Sequence, residues 1–71
     1  MEPDLRLLRN LLNMRADEIA AAVEGTGYLA KTVIGVGTFL LDNQGDLDLL
    51  SSRQRGTYDR FLKPLLDKAV R

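Results

Sequence analysis

Apolar residues recur along this chain at intervals of three and four, the spacing that gathers them on one side of an α-helix. Leu5, Leu8 and Leu12 form such a stripe, widened by Leu7 and Leu11. Pro3 suits the first turn of that helix, where its missing N–H costs nothing, and Glu2 and Asp4 favour its positive end. Continuing the helix to Val23 would bring Ile19 and Val23 onto the stripe. It would also set Arg15 in the middle of the apolar arc. The pattern therefore predicts a break near Asn13 to Ala16 and a second short helix from about Ala16 to Glu24. One unbroken helix with Arg15 snorkelling to water is the alternative.

Gly25-Thr26-Gly27 is the clearest turn, two glycines flanking one residue. From Tyr28 to Asp42 the signals compete. Val33, Ile34, Val36 and Phe39 favour strand, and Gly35 and Gly37 disfavour helix. Leu29, Val33, Val36 and Leu40 nevertheless keep helical spacing. A lone strand would have nothing to pair with, so a helix packed closely at its glycines is expected, with a hairpin as the rival. Asn43-Gln44-Gly45-Asp46 closes this element as a turn. Ser51, with Gln54 three residues on, has the pattern of a capping box and opens the last helix. Pro64 lies inside that helix, removes one backbone donor, and is expected to kink it near Arg60 to Lys63.

Charge sharpens the last helix. Arg55, Asp59, Lys63, Asp67 and Arg71 stand four apart and alternate in sign, so each neighbouring pair adds a few tenths of a kcal/mol on a helix surface. Tyr58, Phe61, Leu62, Leu65, Leu66 and Ala69 fall on the other side. The expected fold is all-α: residues 1–71 form a single domain, a compact bundle of three or four short helices with a kinked amphipathic C-terminal helix. Its core should draw on Leu8, Leu12, Ile19, Val23, Leu29, Val33, Leu40, Phe61, Leu62 and Leu65.

At 71 residues, with 45% hydrophobic residues and no Cys, the chain sits near the lower limit for a self-sufficient core and has no disulfide or thiolate metal site to reinforce it. Self-association, as a homodimer, is one way such a domain gains stability. The start, Met1-Glu2-Pro3-Asp4, is acidic where a secretion signal needs positive charge. The longest nearly apolar stretch, Tyr28 to Leu41, contains Lys31 and is shorter than the roughly 20 residues of a membrane span. No membrane association is expected, and the cytoplasm is the natural location.

Net charge is zero, but unevenly spread. Residues 1–24 carry three basic and five acidic groups, residues 41–50 three Asp, and residues 51–71 six basic and two acidic groups. The chain also lacks His, which removes the usual general base, the usual partner of a nucleophile and a common zinc ligand. Ser51 and Ser52 have no base near them in sequence. Catalysis is therefore not expected, nor is a cofactor or metal.

Three motifs fall short of their ligands. Gly25-Thr26-Gly27-Tyr28-Leu29-Ala30-Lys31-Thr32 differs from a phosphate loop by Ala30 in place of the second Gly, and comes after a predicted helix rather than a strand. Its first six residues match the G-x-G-x-x-A dinucleotide variant, with the same objection. Asp42, Gln44, Asp46 and Asp48 alternate oxygen donors like a calcium loop, but Leu47 and Arg53 stand where Gly and Glu are needed. Helix capping explains the run better.

Leu5-Arg6-Leu7-Leu8-Arg9, then Asp17-Glu18-Ile19-Ala20, a turn and a further helix, resembles a repressor-type helix-turn-helix. The resemblance implies DNA binding through Tyr28, Lys31, Thr32 and Thr38, with one cation among them. On a straight last helix, Arg53, Arg60, Lys68 and Arg71 would cluster opposite its apolar side and form a patch for an acidic partner. The expected role is a non-catalytic helical interaction module that self-associates or docks on a protein through that patch. A helix-turn-helix DNA-binding regulator is the alternative.

Overall fold

A computed structural model describes residues 3–69. Within them the chain forms α1 (Leu5–Met14), α2 (Ala16–Val23) and α3 (Ala30–Asp42), then a 3₁₀ turn (Leu47–Leu49). A bent C-terminal helix comes last, made of α4 (Ser52–Thr57), a π-helical segment (Tyr58–Leu62) and α5 (Lys63–Ala69). The all-α expectation holds, and the described residues contain no strand. None of these helices is long and apolar enough to cross a membrane.

Asp4 starts α1. Its carboxylate accepts from the N–H groups of Arg6 and Leu7, so Pro3 lies just outside the helix rather than in its first turn. The break falls where Arg15 requires it. Arg15 leaves helical geometry at φ −125°, ending α1 and beginning α2. Its guanidinium then forks onto Glu18, with Nε donating to one carboxylate oxygen at 2.6 Å and Nη2 to the other at 2.9 Å.

The helix reading of residues 28–42 also holds over Ala30–Asp42. Close packing occurs at Gly37, where a Cβ would lie 2.8 Å from Leu12 Cδ2; at Gly35 the same position faces open space. The C-terminus of α3 satisfies its carbonyls through paired bonds, Gly45 N–H to Leu40 O at 2.7 Å and Gln44 N–H to Leu41 O at 3.4 Å. Gln44 takes φ +61° in this motif, a conformation that costs a side-chain-bearing residue.

The capping box at Ser51 is complete. Ser51 Oγ accepts from Gln54 N–H, and Gln54 Oε1 accepts from Ser51 N–H. The bend expected from Pro64 is a π-helical turn. Lys63 N–H reaches back five residues to Tyr58 O, and Pro64 has no N–H to offer Arg60 O.

Helix α3 packs against α1, α2, α4 and the π segment, while α5 closes on α1. The buried core comprises Leu8, Leu11, Ile19, Val23, Val33, Val36, Leu40, Tyr58, Phe61, Leu62 and Leu66. Three expected members are displaced. Leu12 and Leu65 lie at the margin, with Leu11 and Leu66 inside instead. Leu29 precedes α3 as its N-cap and is 61% exposed, because the extended backbone there takes it off the helix's inner face.

Candidate functional site

Two surfaces meet at the π segment. The first is built on Tyr28. The Gly25–Gly27 turn has both glycines in left-handed backbone, φ +77° and +84°. Thr26 ties the turn to Tyr28: its hydroxyl donates to Val23 O at 2.6 Å and accepts from Tyr28 N–H at 3.1 Å. The Tyr28 ring is thereby set edge-on to Phe61, centroids 4.8 Å apart. Phe61 is buried, whereas Tyr28 keeps 39% of its surface in water. The Arg60 guanidinium carbon sits 5.3 Å from the Tyr28 ring centroid and 5.2 Å from that of Phe61. Leu29, next in sequence, is also exposed, and the exposed Lys31 stands in the first turn of α3.

The second surface is a groove of about 450 Å³ between α1 and the C-terminal helix. Pro3, Leu7, Leu47 and Leu66 supply its apolar lining, and Tyr58 contributes a ring and a hydroxyl. Charges of both signs rim it: Asp4, Asp59 and Asp67 against Arg55 and Lys63. Burial pushes the Tyr58 phenol above the usual tyrosine range. Asp59 and Asp67 add to that effect, and Arg55 opposes it.

The charge ladder forms one rung among the described residues, Arg55 Nε to Asp59 Oδ1 at 3.2 Å. Asp59 lies within the π segment and Lys63 directly follows it, where residues four apart no longer stack. Lys63 and Asp67 both reach the groove without closing an ion pair, for which the structure offers no physical reason. The other pair among the described residues is Arg15–Glu18. Its hydrogen bonds hold the Glu18 carboxyl below the usual carboxylate range, and the charge of Lys68 acts in the same direction.

The helix that carries Arg53, Arg60 and Lys68 is bent rather than straight. One extra residue in the π turn shifts the helix phase by roughly 100° between Arg53 and Lys68. Arg53 is exposed on α4, Arg60 lies over the aromatic pair, Lys68 is exposed on α5 and acts on Glu18, and Arg71 lies outside the described residues. Sequence reasoning did not find Tyr28 as Arg60's platform. No local signal singles it out: Arg60 has no carboxylate three or four residues away on either side, but neither have Arg9 and Arg53.

Other motifs resolve as local structure. Gly25 and Gly27 end α2 rather than succeed a strand. Asp46 caps the 3₁₀ turn by accepting from Asp48 N–H. No three His, Cys, Asp or Glu side chains converge among the described residues. The chain matches no family model, and neither a curated protein nor a solved structure is significantly similar to it.

Proposed function

We propose that this chain is a non-catalytic helical module that docks on a protein, either a second copy of itself or another chain. The observation that carries the reading is the Tyr28–Arg60–Phe61 cluster, open to solvent at Tyr28 and Arg60. Tyr and Arg dominate the energetics of protein interfaces, because each combines a flat apolar body with directional polar atoms. Here both lie open on the surface, and one is fixed by the other. Arg53, Arg60, Lys68 and Arg71 are the candidate contact residues. The cysteine-free sequence suits a reducing compartment, the cytoplasm.

DNA binding is the weaker reading. Six residues, 24–29, separate α2 from α3, where a helix-turn-helix uses three or four. The outer face of α3 presents Lys31, Thr32, Gly35, Thr38 and Asp42, one cation balanced by one acid. The Thr38 hydroxyl already donates to Ile34 O. Such a face offers phosphates little.

A photo-crosslinking amino acid at position 29, used in living cells, tests the proposal, with the exposed Asn10 of α1 as control position. Discrete protein adducts at 29 that are absent at 10 are expected. Adducts to nucleic acid alone, or the same adducts from both positions, would overturn it.

A further inference from the structure

We propose that Arg60 is a preorganised carboxylate receptor, and that the segment seated on the Tyr28 surface is an acidic stretch of a partner protein carrying an apolar side chain next to its carboxylate. This rests on the proposed docking role and names the chemistry of the occupant.

Arg60 differs from the other described arginines in what it rests on, since its guanidinium alone among them lies over aromatic rings. The other described arginines that engage a carboxylate, Arg15 and Arg55, find one three or four residues along their own helix. Arg60 has none at that spacing and makes no ion pair among the described residues. Its guanidinium lies against two rings instead, with centroid distances of 5.3 and 5.2 Å. The rings take up none of its N–H groups as ordinary acceptors, so the guanidinium keeps the fork of donors that grips a carboxylate through two parallel hydrogen bonds. An arginine already held in place loses less side-chain freedom when it binds.

The surroundings match the same ligand. Lys31, exposed in the first turn of α3, adds a second positive charge three residues along the chain from Tyr28. The N-cap of α3 is Leu29, whose side chain accepts no hydrogen bond, so the positive end of that helix stays uncompensated. The nearest carboxylate along the chain on that side, Glu24, forms no ion pair among the described residues. The open part of the Tyr28 ring gives the occupant an apolar seat beside the charge. A purely anionic ligand would leave that seat wet, and a purely apolar one would bury Arg60 unpaired. An acidic segment with a neighbouring apolar residue satisfies both.

The test uses the whole chain and a fluorescent peptide of alternating Asp and Leu, amidated at its C-terminus, with anisotropy as the readout. A Lys–Leu peptide of equal length is the control. The acidic peptide should bind and the basic one should not. Added salt should weaken binding. Arg60→Gln should reduce affinity about tenfold or more, as expected for removal of a charge-assisted hydrogen-bonded pair. Arg60→Lys keeps the charge but loses the fork, and should fall between the two. It also carries the comparison if Arg60→Gln loses its helical signal. Equal binding of the two peptides, or acidic-peptide binding unaffected by both Arg60 variants, would overturn the proposal. So would failure of the acidic peptide to bind at all, and protein crosslinks at position 29 would then still support the broader docking role. If Arg60→Gln instead abolishes a homodimer seen by sedimentation while the peptide does not bind, the occupant is a second copy, and a foreign acidic segment is excluded.

Discussion

Phe61→Ala probes the joint between the bent helix and the rest of the bundle. The Phe61 ring is only 4% exposed. It packs edge-on to Tyr28, lies beneath Arg60, and belongs to the core cluster that includes Val33, Leu40 and Leu62. Truncating a buried Phe costs about 3–5 kcal/mol, through lost transfer energy and the cavity left behind. A domain of 71 residues has a total stability of about 4–11 kcal/mol at roughly 0.05–0.15 kcal/mol per residue. One side chain therefore accounts for a large share of the whole. Each kcal/mol moves Tm by roughly 4–8 °C in a domain this small, so a loss of at least about 12 °C is expected. Asp59→Lys, two residues away, is the comparator. It breaks the Arg55–Asp59 pair, whose side chains are about half exposed, and such pairs contribute about 0.3–0.5 kcal/mol. Thermal melts monitored by circular dichroism give both values in one experiment. If Phe61→Ala melts with the parent, or Asp59→Lys costs more than Phe61→Ala, the C-terminal helix is not anchored by its aromatic face.

Three further outcomes rest on single positions. Gln44→Gly should raise stability by about 0.5–1 kcal/mol, read as a higher urea midpoint at unchanged slope, because glycine adopts the φ of +61° without the penalty a side chain meets there. Within α3, Gly37→Val should cost about 1–3 kcal/mol by driving into Leu12, while Gly35→Ala, with open space around its Cβ, should stabilise by about 0.5–1 kcal/mol. Tyr58 gives a pH signature. Its proton is held more tightly in the folded state than in the unfolded one, so stability should fall as pH climbs past about 10 toward the raised folded value. Urea midpoints measured between about pH 9 and pH 11 should decline less steeply in Tyr58→Phe than in the parent.

Much of this fold was legible because local chemistry and tertiary packing agree. Arg15 could not sit in an apolar arc, and the helix breaks there. Gly25 and Gly27 flank a turn that needs left-handed backbone, and Ser51 and Gln54 cap one another. What escaped the sequence traces largely to the π turn. Pro64 announced a disturbance but not its form. One inserted residue advances the phase of α5, so Leu66 takes the buried place expected of Leu65, and Asp59 loses its partner in Lys63. The same shift removes the straight helix on which Arg53, Arg60, Lys68 and Arg71 would have aligned. Leu29 misled for another reason. Apolar spacing counts it as the first rung of α3, but an N-cap residue has extended backbone and points elsewhere. The Tyr28–Phe61 contact joins residues 33 positions apart and leaves no local trace in the pattern.

If a partner protein sits on the Tyr28–Arg60–Phe61 surface, that surface must respond when the partner's chemistry is supplied. Chemical-shift mapping of the full chain during titration with the Asp–Leu peptide addresses this most directly. Saturable shifts are expected at Tyr28, Leu29, Lys31 and the Arg60 Nε–H, with the groove lined by Leu7, Leu47 and Leu66 unmoved. Shifts centred on that groove, or none at Arg60 at saturation, would contradict the proposed docking surface.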